Sequence, residues 1–241
     1  MKLLQSITVL IFLLSTTLVS AQWGKSKRIK GDGNIITSTA TTASYNAIKT
    51  AGSMDFQLIK GKEGNISIKG DSNLIPYIIT EVKNNALLVK IKKGYNLKPT
   101  ETIVITIPYE SISAVSLAGS GDVENSGIIE ANHFKVSLAG SGDIDLQIAS
   151  KTIESTLAGS GDIELKGKTT NLTTTIAGSG DFDGDDLNST NVDATISGSG
   201  DISVHCNGEL KVRISGSGDV KYSGNPTKKD TKISGSGSVS H

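Results

Sequence analysis

Cysteine occurs once in the 241 residues, at Cys206, and histidine three times, at His133, His205 and His241. One thiol excludes an intramolecular disulfide framework, and the isolated histidines offer no Cys/His spacing for a metal. Ile202 and Val204 precede Cys206 at two-residue steps, which predicts an inward-facing small hydrophobe rather than a nucleophile. Arginine is limited to Arg28 and Arg213, and aromatic residues make up only 4%. That leaves no stacking platform for single-stranded nucleic acid, so no nucleic-acid partner is expected. No glycine-rich stretch opens a helix, so no phosphate cradle and no cofactor are expected. No apolar run approaches the ~20 residues that span a bilayer, so no membrane-spanning segment is expected.

What is present begins with MKLLQSITVLIFLLSTTLVSA, residues 1–21. A single Lys2, an apolar run from Val9 to Leu14 and a small-residue end at Val19-Ser20-Ala21 predict a secretory signal peptide. Export follows, to the periplasm, the medium or the cell surface. Ile, Val and Leu dominate the apolar residues and glycine is abundant, which favours strands over helices. Charge divides the rest of the chain. Residues 22–110 carry 13 Lys/Arg against 7 Asp/Glu, and residues 111–241 carry 10 against 17. Such asymmetry can mark an interaction surface, although six aspartates of a repeat supply most of the acidic excess.

Residues 22–110 read as an N-terminal β region. Phe56–Ile59 and Asn65–Ile68 flank a glycine-containing loop and predict a hairpin. Leu87, Val89 and Ile91, and later Ile103, Ile105 and Ile107, alternate with their neighbours as half-buried strands do.

Residues 111–241 repeat one hexapeptide: LAGSGD three times, IAGSGD once, ISGSGD twice and ISGSGS at the end. Its last residues are Asp122, Asp143, Asp162, Asp181, Asp201, Asp219 and Ser238, a period of 18–21. That period is too short for a strand plus a helix and predicts a β-solenoid of about seven coils, one hexapeptide per coil. The N-terminal β region is expected to pack on or cap the first coil, because an open edge invites pairing with other chains.

Parity explains the constancy of the hexapeptide. Phe134, Val136, Leu138, Gly140, Gly142, Ile144 and Leu146 share one face of an extended chain, and Ala139, Ser141 and Asp143 share the other. The paired glycines, Gly119/Gly121, Gly140/Gly142, Gly159/Gly161, Gly178/Gly180, Gly198/Gly200 and Gly216/Gly218, are expected at one corner, where a Cβ would strike the opposite wall. Outward columns of alanine or serine, of serine and of aspartate should stack ~4.8 Å apart. Like charges at that separation repel by ~1 kcal/mol in water. Hydrogen bonds from the serine or backbone N–H of the same coil are expected to offset this. Bound calcium is the alternative, with Asp162, Asp181, Asp183 and Asp185 as weak candidates and no EF-hand spacing around them.

Catalytic chemistry finds little foothold. A glycoside hydrolase sets two carboxylates apart across a cleft, whereas these aspartates form an unbroken column. His205 and Cys206 should point to opposite faces of one strand.

An exported chain with an irregular β start, the strand Ile103-Val104-Ile105-Thr106-Ile107-Pro108 and a run of Leu/Ile-Ala/Ser-Gly-Ser-Gly-Asp resembles the bacterial auto-transporter adhesin, head GIN domain family. The resemblance spans residues 29–241. It implies an all-β, right-handed parallel β-helix and a role in surface adhesion. Together these features lead to a non-enzymatic binding or scaffold protein of the cell envelope, with a carbohydrate-active lyase or hydrolase as the alternative. Its ligand would be a glycan or a protein, and a homo-oligomer is compatible with the sequence.

Overall fold

The computed structural model describes residues 26–241, and the segment read as a signal peptide, 1–21, lies outside them. Apart from a 3-10 turn at Ile75–Tyr77, the regular structure of the described residues is all strand. From Ala114 onward the chain winds as a solenoid whose neighbouring coils pair in parallel and in register. Leu117, Leu138, Leu157, Ile176, Ile196, Ile214 and Ile233 stand one above another. Val123, Ile144, Ile163, Phe182, Ile202 and Val220 form a second column beyond the corner. Two-residue alternation sends all of these side chains except that of Ile233 into one continuous core. Burying each stabilises the fold by ~1.5–3 kcal/mol relative to exposure.

Ile233 has the inward parity of its column but does not line this core. It is 45% exposed, because among the described residues no further coil is stacked on Lys228–Gly235. Parity aims the side chain correctly, but only a following coil could bury it.

The coils differ in length, and the difference is absorbed away from the glycine corner. The longest spacing, Asp122 to Asp143, takes up its extra residues at Gly127 and Ile128, where Ile128 is exposed. The spacing of 20 after Asp181 produces a register irregularity between Gly184 and Asn188. A second bend carries a column the sequence did not reveal: Ala131, Ser150, Thr169, Ser189 and Cys206. The buried hydroxyls are satisfied locally. Ser150 donates to the Thr152 carbonyl at 2.9 Å and Ser189 to the Leu187 carbonyl at 3.1 Å.

The stack does not begin at residue 111. Ala47–Gly52 lies in register beneath Ala114–Gly119, and Asp55–Lys60 pairs with Val123–Ser126. Thr50-Ala51-Gly52-Ser53-Met54-Asp55 is therefore a degenerate copy of the hexapeptide, directly below Leu117–Asp122 in space. Beneath it run Ala86–Ile91 and Val104–Tyr109, also parallel. The expected hairpin between Phe56–Ile59 and Asn65–Ile68 does not form. Val104–Tyr109 lies between them, parallel to the first and antiparallel to the second. Ile105 thereby lies opposite both Phe56 and Ile68, and all three are buried. Ile78–Lys83 and Ile35–Thr41 add antiparallel strands at the base. Lys27–Lys30 and Tyr95–Lys98 form a separate two-stranded sheet.

Candidate functional site

The most repeated chemistry lies at the glycine corner. The first glycine of each copy, from Gly119 to Gly235, sits at φ between +138° and +145°, where side chains are rarely accommodated. The nearer obstacle to a Cβ is the coil beneath, not the opposite wall. A Cβ on Gly159 would lie 2.1 Å from the Gly140 carbonyl oxygen.

The second glycines, Gly121, Gly142, Gly161, Gly180, Gly200 and Gly218, correct the expectation further. They are buried, and none adopts the positive φ of its partner two residues earlier, so the turn itself does not select them. What selects them is again the backbone below. A Cβ on Gly121 would lie 1.9 Å from the Met54 carbonyl oxygen, and one on Gly142 2.0 Å from that of Gly121. On Gly161 and Gly180 it would lie 1.9 Å from the oxygens of Gly142 and Gly161. On Gly200 and Gly218 the gap to the oxygens of Gly180 and Gly200 is 2.0 Å. Both glycines of each pair are required because stacked backbones meet where a side chain would stand. Two N–H groups converge there on one carbonyl: Ser160 and Gly161 donate to the Gly140 oxygen at 2.9 and 3.2 Å, and Ser141 and Gly142 to that of Gly119.

Met54 replaces the second glycine in the degenerate copy and tests this account. No glycine corner is stacked below it, since Ala86–Ile91 and Val104–Tyr109 are joined by a long excursion. A side chain is tolerated there, and Met54 is buried in the core.

The aspartates form one exposed column, and their carboxylates bond upward rather than within their own coil. Asp122 Oδ1 accepts the N–H of Asp143 at 3.1 Å, Asp143 that of Asp162 at 3.0 Å, and Asp162 that of Asp181 at 2.9 Å. Asp181 accepts from Asp201 and Asp201 from Asp219, each at 2.7 Å. Return bonds complete a clamp, as Val123 N–H donates to the Asp143 carbonyl and Ile144 N–H to that of Asp162. Ser238 closes the series, donating its N–H and its hydroxyl to Asp219 Oδ1 at 2.7 and 2.9 Å. The expectation of same-coil bonding is thus replaced by a staple from each coil to the next. Hydrogen bonds to a charged acceptor contribute ~1.5–3 kcal/mol, enough to offset the repulsion between neighbours.

A second acidic column, Glu124, Asp145, Glu164 and Asp183, runs beside the first. Lys166 spans two of its members, at 2.7 Å from Glu164 and 3.3 Å from Asp145. At the foot of the first column, beneath Asp122, burial and the charges of Asp122 and Glu124 push the Asp55 carboxyl above its usual range, against a bond from the Asp122 N–H. Of the calcium candidates, Asp162 and Asp181 stand in the staple column and Asp183 in the neighbouring one. Asp185 donates its N–H to Asp183 at 3.0 Å. Among the described residues, no three carboxylate, histidine or thiol groups converge as a metal site would require.

These features lead to one family. Over residues 44–226 the chain matches the family described as "Putative auto-transporter adhesin, head GIN domain". The chain belongs to this head GIN domain family. The matched span takes in the degenerate copy at 50–55, which the repeats alone did not disclose. Solved structures share the fold. An adhesin-described protein from Bacteroides fragilis superposes with a TM-score of 0.80 at 23% identity, covering 88% of this chain and 99% of that one. A Parabacteroides distasonis protein described as lipid binding gives 0.74 at 29% identity, covering 89% and 99%. Another adhesin-described protein, from Parabacteroides merdae, gives 0.70 at 22% identity, covering 88% and 98%. No curated protein matches the chain in sequence.

Elsewhere on this head GIN domain, Cys206 is buried, and burial pushes its thiol above the ordinary range. His205 points the other way and meets a residue that sequence reasoning missed, with its Nδ1 2.9 Å from Ser223 Oγ. The Asn207 amide nitrogen lies 3.1 Å from His205 Nε2, and the Asn207 Oδ1 accepts the Asn225 N–H, so both ring nitrogens have a neutral polar neighbour.

A shallow recess of about 500 Å³ opens over the second bend. Ala131 and Ser150 line it, with Lys151, Lys168, Asn188 and Thr190 among its polar groups. Its concavity arises from the small alanines of the lower coils beside the longer side chains above them. No spacing rule in the sequence marks it, because the bend has no constant motif.

Proposed function

We propose that this protein is an exported, non-enzymatic, adhesin-like module of the cell envelope that presents a repetitive binding face. The observation that carries this reading is the continuous register of the strands that lead into the glycine corner. Ser116, Ser137, Thr156, Thr175 and Thr195 form an outward hydroxyl column beside the alanine and serine column of the hexapeptides. One side-chain chemistry thus recurs about every 4.8 Å, the arrangement that suits an extended repetitive ligand. The recess at Lys151 and Lys168 offers the same ligand a concave contact with donors for hydroxyl and carboxylate groups. Relatives described as adhesins and as lipid binding support a binding role, and the leader pattern of residues 1–21 supports export. Among the described residues no helix is long and apolar enough to cross a membrane.

Glycan-array binding of the chain from Gln22 onward, with and without calcium, tests the proposal. Selective retention of extended glycans, weakened by Lys151→Ala with Lys168→Ala and indifferent to calcium, is the expected result. Release of reducing ends or unsaturated sugars from a bound polysaccharide would replace it with the enzymatic reading.

A further inference from the structure

The two-stranded sheet of Lys27–Lys30 and Tyr95–Lys98 stands apart from the main sheet, at the base of the solenoid. Its strands are parallel, with Ile29 opposite Leu97 on the inward face and Lys30 opposite Lys98 on the outward face. Arg28 and Asn96 occupy the other outward pair. Like charges in direct register destabilise a strand pair, so packing alone gives no reason for Lys30 to face Lys98. Lys92 and Lys93 extend the patch through the turn before Tyr95, and Lys27 reaches that turn through its N–H bond to the Gly94 carbonyl at 2.7 Å. Among the described residues, none of these six cations takes part in an ion pair.

The nearby carboxylates are committed elsewhere. Asp71 is buried and accepts bonds from Gly33 N–H, Thr100 N–H and the Thr100 hydroxyl at 2.7–2.9 Å. Asp32 accepts from the Ser72 hydroxyl at 2.6 Å and from Asn34 N–H at 3.0 Å. Glu101 is exposed and leaves an excess of positive charge. Half-buried Tyr77 and Tyr95 pack at 4.6 Å between ring centroids, with the Lys92 ammonium 5.9 Å over the Tyr95 ring. Amphipathic rings beside long cationic side chains are the composition that settles at a membrane–water interface.

We infer that this sheet and its turn dock the base of the solenoid on an anionic phospholipid surface. The cations spread both along the strands and across them, which fits an array of phosphates in a plane better than one linear polyanion. Docking through the base leaves the coil faces directed away from the membrane. A Lys or Arg at such a surface contributes about 1 kcal/mol, or roughly fivefold in partitioning, and salt screens the effect.

Vesicle co-sedimentation of the chain from Gln22 onward tests this independently of any glycan ligand. Phosphatidylcholine vesicles would be compared with vesicles also containing phosphatidylglycerol. Binding to the anionic vesicles alone, weakened by added salt, is expected. Arg28→Glu, Lys30→Glu and Lys98→Glu together should lower it by about 100-fold or more. Lys221→Glu, Lys228→Glu and Lys232→Glu, which change net charge equally at the far end, should leave most of it. An unchanged melting temperature shows that each variant folds. Failure of the unaltered protein to bind, or equal losses in both triple variants, would overturn the inference. So would retention on heparin without retention on vesicles, or vesicle-free self-association that the first triple variant abolishes.

Discussion

Replacing Asp162 in two ways separates the carboxylate's charge from its role as an acceptor. Its Oδ1 receives the Asp181 N–H at 2.9 Å, while neighbouring carboxylates belong to coils ~4.8 Å away. Asp162→Asn and Asp162→Ala both delete the charge and relieve the same repulsion, ~1 kcal/mol per neighbour in water before screening. Only asparagine keeps an oxygen where the N–H arrives. The two variants should therefore differ by the net worth of one exposed hydrogen bond, ~0.5–1.5 kcal/mol in favour of asparagine. That corresponds to ~2–4 °C in melting temperature per kcal/mol for a chain of this length. Added sodium chloride should stabilise the unaltered protein more than Asp162→Asn, because only the former retains a full column of like charges. Urea denaturation measures all three proteins, with the slope compared as well as the midpoint, since stacked coils can unfold in stages. Equal stability of the two variants would refute the staple.

Gly161→Ala should cost more than any single core truncation, because the added Cβ meets the Gly142 carbonyl oxygen at 1.9 Å; Gly33→Ala, with open space around it, should cost ~1 kcal/mol, and expression with circular dichroism compares them. Ile176→Ala should cost ~2–5 kcal/mol, whereas Ile233→Ala, on the uncovered last coil, should cost under ~1 kcal/mol by denaturant titration. Acid should weaken the base of the fold through Asp71. Burial pushes its carboxyl upward, but bonds from Thr100 and from Gly33 N–H outweigh that and hold it below its usual value. Its stabilisation is complete above the ordinary carboxylate range near 3.9 and is lost as pH falls through the lower folded value, so melting curves of the unaltered protein and Asp71→Asn should converge there.

The period, the parity and the corner were legible because stacking imposes one constraint on every coil. Where the constraint lapses, the text lapses with it. Met54 stands where no glycine corner lies beneath among the described residues, so no glycine is required and the lowest copy, whose Asp55 lies 67 residues before Asp122, lacks the signature. The reason for the second glycine was not legible either. Gly121, Gly180, Gly200 and Gly218 are held by a carbonyl one coil below, a neighbour that no single copy contains. Val104–Tyr109 shows the limit of local reading. Its alternation announced a strand, but its place between Asp55–Lys60 and Asn65–Asp71 depends on contacts distant in sequence. The aspartates were visible as a column, yet the direction of their bonds was not, since a single coil does not reveal that the nearest free N–H belongs to the next one. The cations of Lys27–Lys30 were visible only as a regional excess. Register alone placed Lys30 against Lys98.

The central claim is that the aspartate column holds coil to coil and is not a chain of ion sites. Calorimetric titration of calcium into the chelator-treated protein tests it most directly. No saturable heat and an unchanged melting temperature are predicted, because Oδ1 of each carboxylate is already engaged by the amide above it and no three ligand groups converge among the described residues. Saturable uptake in the micromolar range, lost in a protein carrying Asp162→Asn and Asp181→Asn, would contradict the account.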